Sequence, residues 1–210
     1  MRTVILLGLA VLLSCQTTPQ ADLLKFVDPM IGTDAADTES AKRHGSGTES
    51  YAQTYPAVGP PFAMTYFTPE TRPTERKCVS PYYYSDSLLT GFRGSHWTSG
   101  SCVQEYGSFS LMPVSGDLAV HPEDRASGFR HDKVSAAPHE YSVHLDRYNI
   151  DVRFTAATRT GIFEIVFPTD KPAAVVLNPN NEHEEGFVKI LPERNEIVGY
   201  NPVRRIYQGW

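Results

Sequence analysis

The chain has 210 residues, 40% of them hydrophobic, with 19 Lys+Arg against 24 Asp+Glu and a net charge of -5. That length suits one ordinary domain or one large all-β domain and excludes a large two-domain enzyme. A mildly acidic chain without a basic run offers no footprint for phosphate backbones, so no nucleic-acid partner is expected, while 11 Tyr, 10 Phe and 2 Trp suffice for a folded core.

The chain opens with Met1-Arg2, a short positive end, and continues with the apolar run Val4–Leu13. A membrane-spanning helix takes about 20 apolar residues, so this run is too short to span and has the length of a secretory h-region. It ends in Leu12-Leu13-Ser14-Cys15, a Leu-x-small triplet directly before a Cys, which resembles a bacterial lipobox. Residues 1–14 are therefore expected to be a lipoprotein signal peptide, Cys15 the lipidated residue and 15–22 a tether. Ordinary cleavage near Ser14 is the alternative. Lipid on Cys15 would hold the chain to a membrane of the bacterial cell envelope, in the outer membrane or periplasm. Cys78 and Cys102 then remain as an even pair in an oxidising compartment. They either form a disulfide, which would close a loop of about 25 residues and add about 3 kcal/mol, or stay as two buried thiols.

Beyond the tether, residues 34–50 are polar and small and read as a surface loop. From Pro56 onward short apolar runs alternate with Gly, Pro, Asn and Asp clusters, the pattern of strands and turns. Phe62–Thr68, Gly107–Met112, Tyr141–Leu145, Ile150–Thr155, Gly161–Phe167, Ala173–Leu177, Phe187–Leu191 and Glu196–Tyr200 are the predicted strands. Tyr141, Val143 and Leu145 alternate with Ser142, His144 and Asp146, and Ile150, Val152 and Phe154 with Asp151, Arg153 and Thr155. A strict period of two means one buried and one wet face, so 141–167 is expected to be an antiparallel meander. No later window sustains a helical period. The fold class is all-β, an antiparallel β-sandwich.

Most catalytic signatures are missing: there is no phosphate-binding loop, no dinucleotide turn and no H-E-x-x-H. Gly94-Ser95-His96 lacks the spacing of a nucleophile elbow. His139-Glu140 and His183-Glu184-Glu185 read as solvated side chains before they read as metal ligands. One stretch is unusual. Residues 81–107, PYYYSDSLLTGFRGSHWTSGSCVQEYG, interleave aromatic rings with Ser, Gly, Arg93, His96, Asp86 and Glu105. Sugar rings stack their C–H faces on aromatic side chains while their hydroxyls take polar partners, so the stretch reads as a binding edge. A loop packed on its own aromatics would have the same composition. Asp86 and Ser85 suit backbone-fixing turn bonds equally well.

Several segments together resemble one family. Val27-Asp28-Pro29-Met30-Ile31-Gly32-Thr33 is similar to the opening V-D-P-[FM]-I-G-T of glycoside hydrolase family 92, the exo-acting, calcium-dependent α-mannosidases. Pro56–Met64 resembles its P-G-A-x-x-P-F-G-M segment, with Ala63 where Gly is usual, and Thr68–Thr71 its S-P-D-T. Tyr84-Ser85-Asp86-Ser87, Gly91-Phe92, Ser95-His96 and Ser99-Gly100 follow its Y-S-D-S…G-F-S-H-T-H-x-S-G-T-G pattern, with Arg93-Gly94-Ser95-His96-Trp97 altering the S-H-T-H core. Tyr106–Pro113 and Thr155–Gly161 match two further segments. The resemblance is collinear from Val27 to about Gly161 and continues plausibly to Trp210.

The resemblance implies an N-terminal β-sandwich of the supersandwich type over 23–210, incomplete at its C-terminus, followed in the family by a helical (α/α) barrel. It implies that the general acid, general base and calcium ligands lie mainly on that barrel, so that no catalytic or metal residue and no cofactor is assigned to this chain. Family members invert configuration with a carboxylic acid and a carboxylate base. Here the sandwich is expected to support the pocket for a mannose-containing glycan, with Trp97, His96, Tyr83, Arg93 and Glu105 as substrate-binding candidates. The competing reading is a stand-alone carbohydrate-binding or interaction module on a lipoprotein stalk.

Overall fold

The structure, a computed structural model, describes residues 23–39, 43, 54–71, 80–96, 109–179 and 186–200. The signal peptide, Cys15, the tether, most of the 34–50 loop, Cys78, Cys102, Trp97, Glu105 and His183–Glu185 lie outside the described residues. In chain order the strands are β1 (Tyr66–Glu70), β2 (Leu88–Leu89), β3 (Gly91–Ser95), β4 (Phe109–Ser115), β5 (Ser127–Gly128), β6 (Ser135–Ala137), β7 (Glu140–Leu145), β8 (Ile150–Ala156), β9 (Gly161–Val166), β10 (Ala173–Asn178), β11 (Phe187–Leu191) and β12 (Glu196–Tyr200). A single-turn α-helix, α1, runs over Pro122–Arg125.

The meander forms as its alternation dictates. β6, β7, β8 and β9 make one antiparallel sheet in sequence order. Tyr141, Val143 and Leu145 pair with Phe154, Val152 and Ile150, and all six are buried on one face. Their neighbours Asp151, Arg153 and Thr155 face water. Asn149 closes the β7–β8 turn at φ 51, a left-handed conformation that Asn tolerates.

The second sheet has the order β1-β3-β4-β10, antiparallel throughout. Its register places Phe67, Phe92, Phe109 and Leu111 on one face. That face packs on the meander: Phe92 meets Phe154 edge-on at 5.7 Å between ring centroids, and Phe67 meets Phe163 at 5.6 Å. Phe154 and Phe163 stack at 4.9 Å and complete the aromatic centre of the sandwich. The opposite face carries Thr68, Glu70, Arg93, Ser110, Met112 and Val114, and these are buried as well. β11 and β12 form a separate hairpin, and β2 pairs with β5.

Two boundaries move relative to the sequence reading. The first strand starts at Tyr66, not Phe62, because Pro60–Ala63 closes a turn through the Ala63 amide and the Pro60 carbonyl at 3.1 Å. The larger difference is β3, which runs through the middle of the segment read as a binding edge. Gly91 and Gly94 do not look like strand formers. They are there because the neighbours leave no room: a Cβ on Gly94 would sit 3.1 Å from the Phe109 ring, and one on Gly91 would sit 3.1 Å from the Leu111 carbonyl oxygen.

Candidate functional site

β3 divides the aromatic segment between opposite ends of the sandwich. Five strand residues span about 13 Å at the usual rise per residue. At one end lie Tyr82, Tyr83 and Tyr84, where Tyr83 N–H donates to the Thr71 hydroxyl at 3.0 Å and Thr90 N–H to the Glu70 carbonyl at 2.8 Å. Tyr83 is buried, whereas Tyr84 is exposed and stacks on His131 with centroids 4.0 Å apart. At the other end β3 delivers Ser95 and His96, opposite Tyr66, with the Thr65 hydroxyl donating to the Ser95 carbonyl at 3.4 Å. His96 is exposed. The connection from His96 to Phe109 carries Trp97 and Glu105 in sequence, and both of its anchor points are at this end. His96 and Tyr83 are therefore not neighbours.

Arg93 sits between the two ends, inside the sheet. Its Nη2 donates to Glu70 Oε1 at 2.7 Å, and both side chains are 1% exposed. The register pairs Arg93 with Thr68 and Glu70 with Gly91, so the two charges are diagonal neighbours on one face, and Gly91 leaves the space above the carboxylate open. A second buried guanidinium approaches the same carboxylate from α1. Arg125 donates from Nε to the Thr90 carbonyl at 3.3 Å and from Nη1 to the Val120 carbonyl. Burial lowers its pKa, and attraction to Glu70 works against that shift. Glu70 was not among the sequence candidates. The signal for it was its place in the Thr68–Thr71 segment, which follows the family's S-P-D-T pattern.

The opening motif is a built turn rather than a reactive site. Asp28 Oδ1 accepts from Met30 N–H at 2.8 Å, Gly32 takes φ 84, and the buried Thr33 hydroxyl donates to the Met30 carbonyl at 2.7 Å. Thr33 then accepts from Tyr84 N–H at 2.8 Å, which ties the motif to the tyrosine end of the sandwich. Asp, Gly and Thr are needed there for an Asx-type bond, a positive φ and an internal hydroxyl.

Depressions mark the described surface. A cleft of about 430 Å³ on the outer meander face holds His144, Asp151, Arg153 and Glu164. His144 Nδ1 lies 2.7 Å from Asp151 Oδ1, and Arg153 Nη2 donates to Glu164 at 2.6 Å. A groove of about 450 Å³ between β4, β10 and the β11–β12 hairpin is apolar, lined by Phe109, Leu111, Leu177, Phe187, Val198 and Tyr200 among others. A third, about 230 Å³, is formed by Thr71, Asp86, Ser87 and Leu88. Among the described residues no three His, Cys, Asp or Glu side chains converge.

Comparison with known proteins agrees with this architecture. The chain superposes on the family GH92 inverting mannosidase of Bacteroides thetaiotaomicron VPI-5482 with a TM-score of 0.72 and 28% identity, covering 89% of this chain and 23% of that one. A family GH92 α-mannosidase of Bacteroides thetaiotaomicron gives 0.61 and 25% identity, covering 75% and 20%. The family glycosyl hydrolase ccman5, at 21% identity and a TM-score of 0.60, shares the fold, with 81% of this chain and 22% of that one aligned. The chain thus spans less than a quarter of the length of these solved relatives. No curated protein matches it. Residues 26–210 match the glycosyl hydrolase family 92 N-terminal domain, and the chain belongs to that family as its N-terminal β-sandwich domain.

Proposed function

We propose that this domain is the pocket-supporting part of an inverting α-mannosidase acting on mannose-containing glycans. The observation that carries the reading is the match of residues 26–210 to the family's N-terminal domain, joined to the superposition on an inverting mannosidase. The acid, the base and the calcium ligands of such an enzyme would be supplied by a separate helical barrel. Sugar-facing roles fall to His96 and to Trp97 and Glu105 in the connection after it. Arg93 and Tyr83 act from inside, by fixing β3 and the Tyr82–Ser87 loop. A lipid on Cys15 would hold the enzyme at the cell envelope, facing glycans outside the cytoplasm.

The test is to read the gene beyond Trp210, express the full reading frame and assay α-linked mannobioses of each linkage with and without a calcium chelator. Mannose release that stops on chelation, with the β-anomer appearing first by NMR, is the expected result. Failure to release mannose from any linkage would refute the enzyme reading. If this chain alone then binds mannosides, it is a carbohydrate-binding module.

A further inference from the structure

Phe62 is the most exposed large apolar side chain among the described residues, at 95%, and it holds φ 60. It is the third residue of the turn Pro60-Pro61-Phe62-Ala63, a position that ordinarily goes to Gly or Asn because a side chain at positive φ is strained. Among the described residues nothing covers the ring. The turn is nevertheless held firmly. Gly59 N–H donates to the Pro138 carbonyl at 3.0 Å, Ala63 N–H to the Pro60 carbonyl at 3.1 Å and Met64 N–H to the Thr158 carbonyl at 2.8 Å. An aromatic ring fixed outward on a pinned, strained backbone suits binding better than folding.

Its neighbourhood identifies the ligand class. The turn stands at the His96 end of the sandwich, because Met64 and Thr65 lead directly into β1 and the Thr65 hydroxyl reaches the Ser95 carbonyl. The turns pinning it, at Pro138 and Thr158, carry the exposed His139, Thr158, Arg159 and Thr160, all with hydrogen-bonding side chains, and Met64, two residues after Phe62, is half-exposed. A protein partner needs a broad apolar face. A single ring in a polar frame fits a pyranose, whose C–H face stacks while its hydroxyls are bound at the rim. We propose that the Pro60–Met64 turn is a stacking platform for a pyranose ring of the glycan, with Phe62 supplying the face. This rests on the carbohydrate reading above, although its test does not depend on mannose release.

The experiment titrates the full chain with methyl α-D-mannopyranoside and with α-linked mannobioses, by calorimetry and ligand-observed NMR. Phe62→Gly and Phe62→Asn relieve the turn, so their melting temperatures should equal or exceed that of the wild type. Their mannoside binding should weaken roughly fivefold to tenfold, the range expected for one stacked ring. Phe62→Trp should retain binding. Equal binding by Phe62→Gly, Phe62→Asn and wild type would overturn the platform while leaving the enzyme assignment standing. Absence of mannoside binding by the wild-type chain would also overturn it, with the assignment still judged by mannose release. A fall in melting temperature for both variants would show instead that the ring serves the fold.

Discussion

The Glu70–Arg93 pair decides whether the altered segment around His96 is a sugar contact or a piece of core. At 2.7 Å and an effective dielectric near 20 the gross attraction is about 6 kcal/mol. The cost of stripping water from both ions offsets much of it, so the pair's net value is small, but breaking it deprives a buried charge of its 2.7 Å partner. Losing one partner of such a pair costs about 3–5 kcal/mol. The two single substitutions should differ. Arg93→Met leaves Glu70 with Arg125 still attracting it, whereas Glu70→Gln removes the carboxylate charge that both buried guanidiniums face. Glu70→Gln is therefore expected near the upper end of that range and Arg93→Met near the lower. The double variant Glu70→Gln/Arg93→Met should recover part of the sum. Urea denaturation at pH 7, followed by intrinsic fluorescence, gives the four free energies of the cycle. Singles within about 1 kcal/mol of wild type, or strictly additive effects, would refute the buried-pair argument. An Arg93 that touched sugar directly would show the reverse pattern, weakened binding at unchanged stability.

Two further substitutions probe the core. The Tyr82 and Tyr141 hydroxyls are buried without a hydrogen-bond partner among the described residues, so Tyr82→Phe and Tyr141→Phe should each stabilise the fold by about 1 kcal/mol in a urea titration. Burial, with smaller contributions from Tyr84 and Asp86, raises the Tyr82 pKa, and burial with Tyr82 nearby raises that of Tyr141. The folded state then keeps protons that the unfolded chain releases near pH 10, so stability is insensitive to these groups below that pH. Above it stability should fall, by up to about 1.4 kcal/mol per pH unit for each tyrosine. The double Phe variant should flatten that slope, and an unchanged slope would exclude these tyrosines as its source. At Gly161 a Cβ would lie 2.8 Å from the Phe67 ring, which is held between Phe109 and Phe163, so Gly161→Ala should cost about 1–3 kcal/mol by thermal melting. A neutral Gly161→Ala would mean that the ring can move.

Strands β7, β8 and β9 of the meander were legible because each has one wet face, whereas the three-residue β6 was not among the predicted strands. Alternation survives in the sequence only where burial alternates, as in Glu140–Leu145 and Ile150–Ala156. β3 is buried on both faces, so alternation is absent, and its small residues are dictated by the Phe109 ring and the Leu111 carbonyl of the adjacent strand. The same cause hid the role of Arg93. A charged residue among Ser, Gly and aromatics looks like a ligand-binding group until its partner appears 23 positions earlier in the chain.

By itself the sequence determined the fold class and the family, since composition, period and collinear motifs are local properties. Only the tertiary structure decided which aromatics face water. Tyr82, Tyr83 and Phe92 go inside and Phe62 stays out, although all belong to motifs of similar composition. That outcome depends on which strands flank each residue, and strand neighbours are set by pairing across the sheet rather than by adjacent residues.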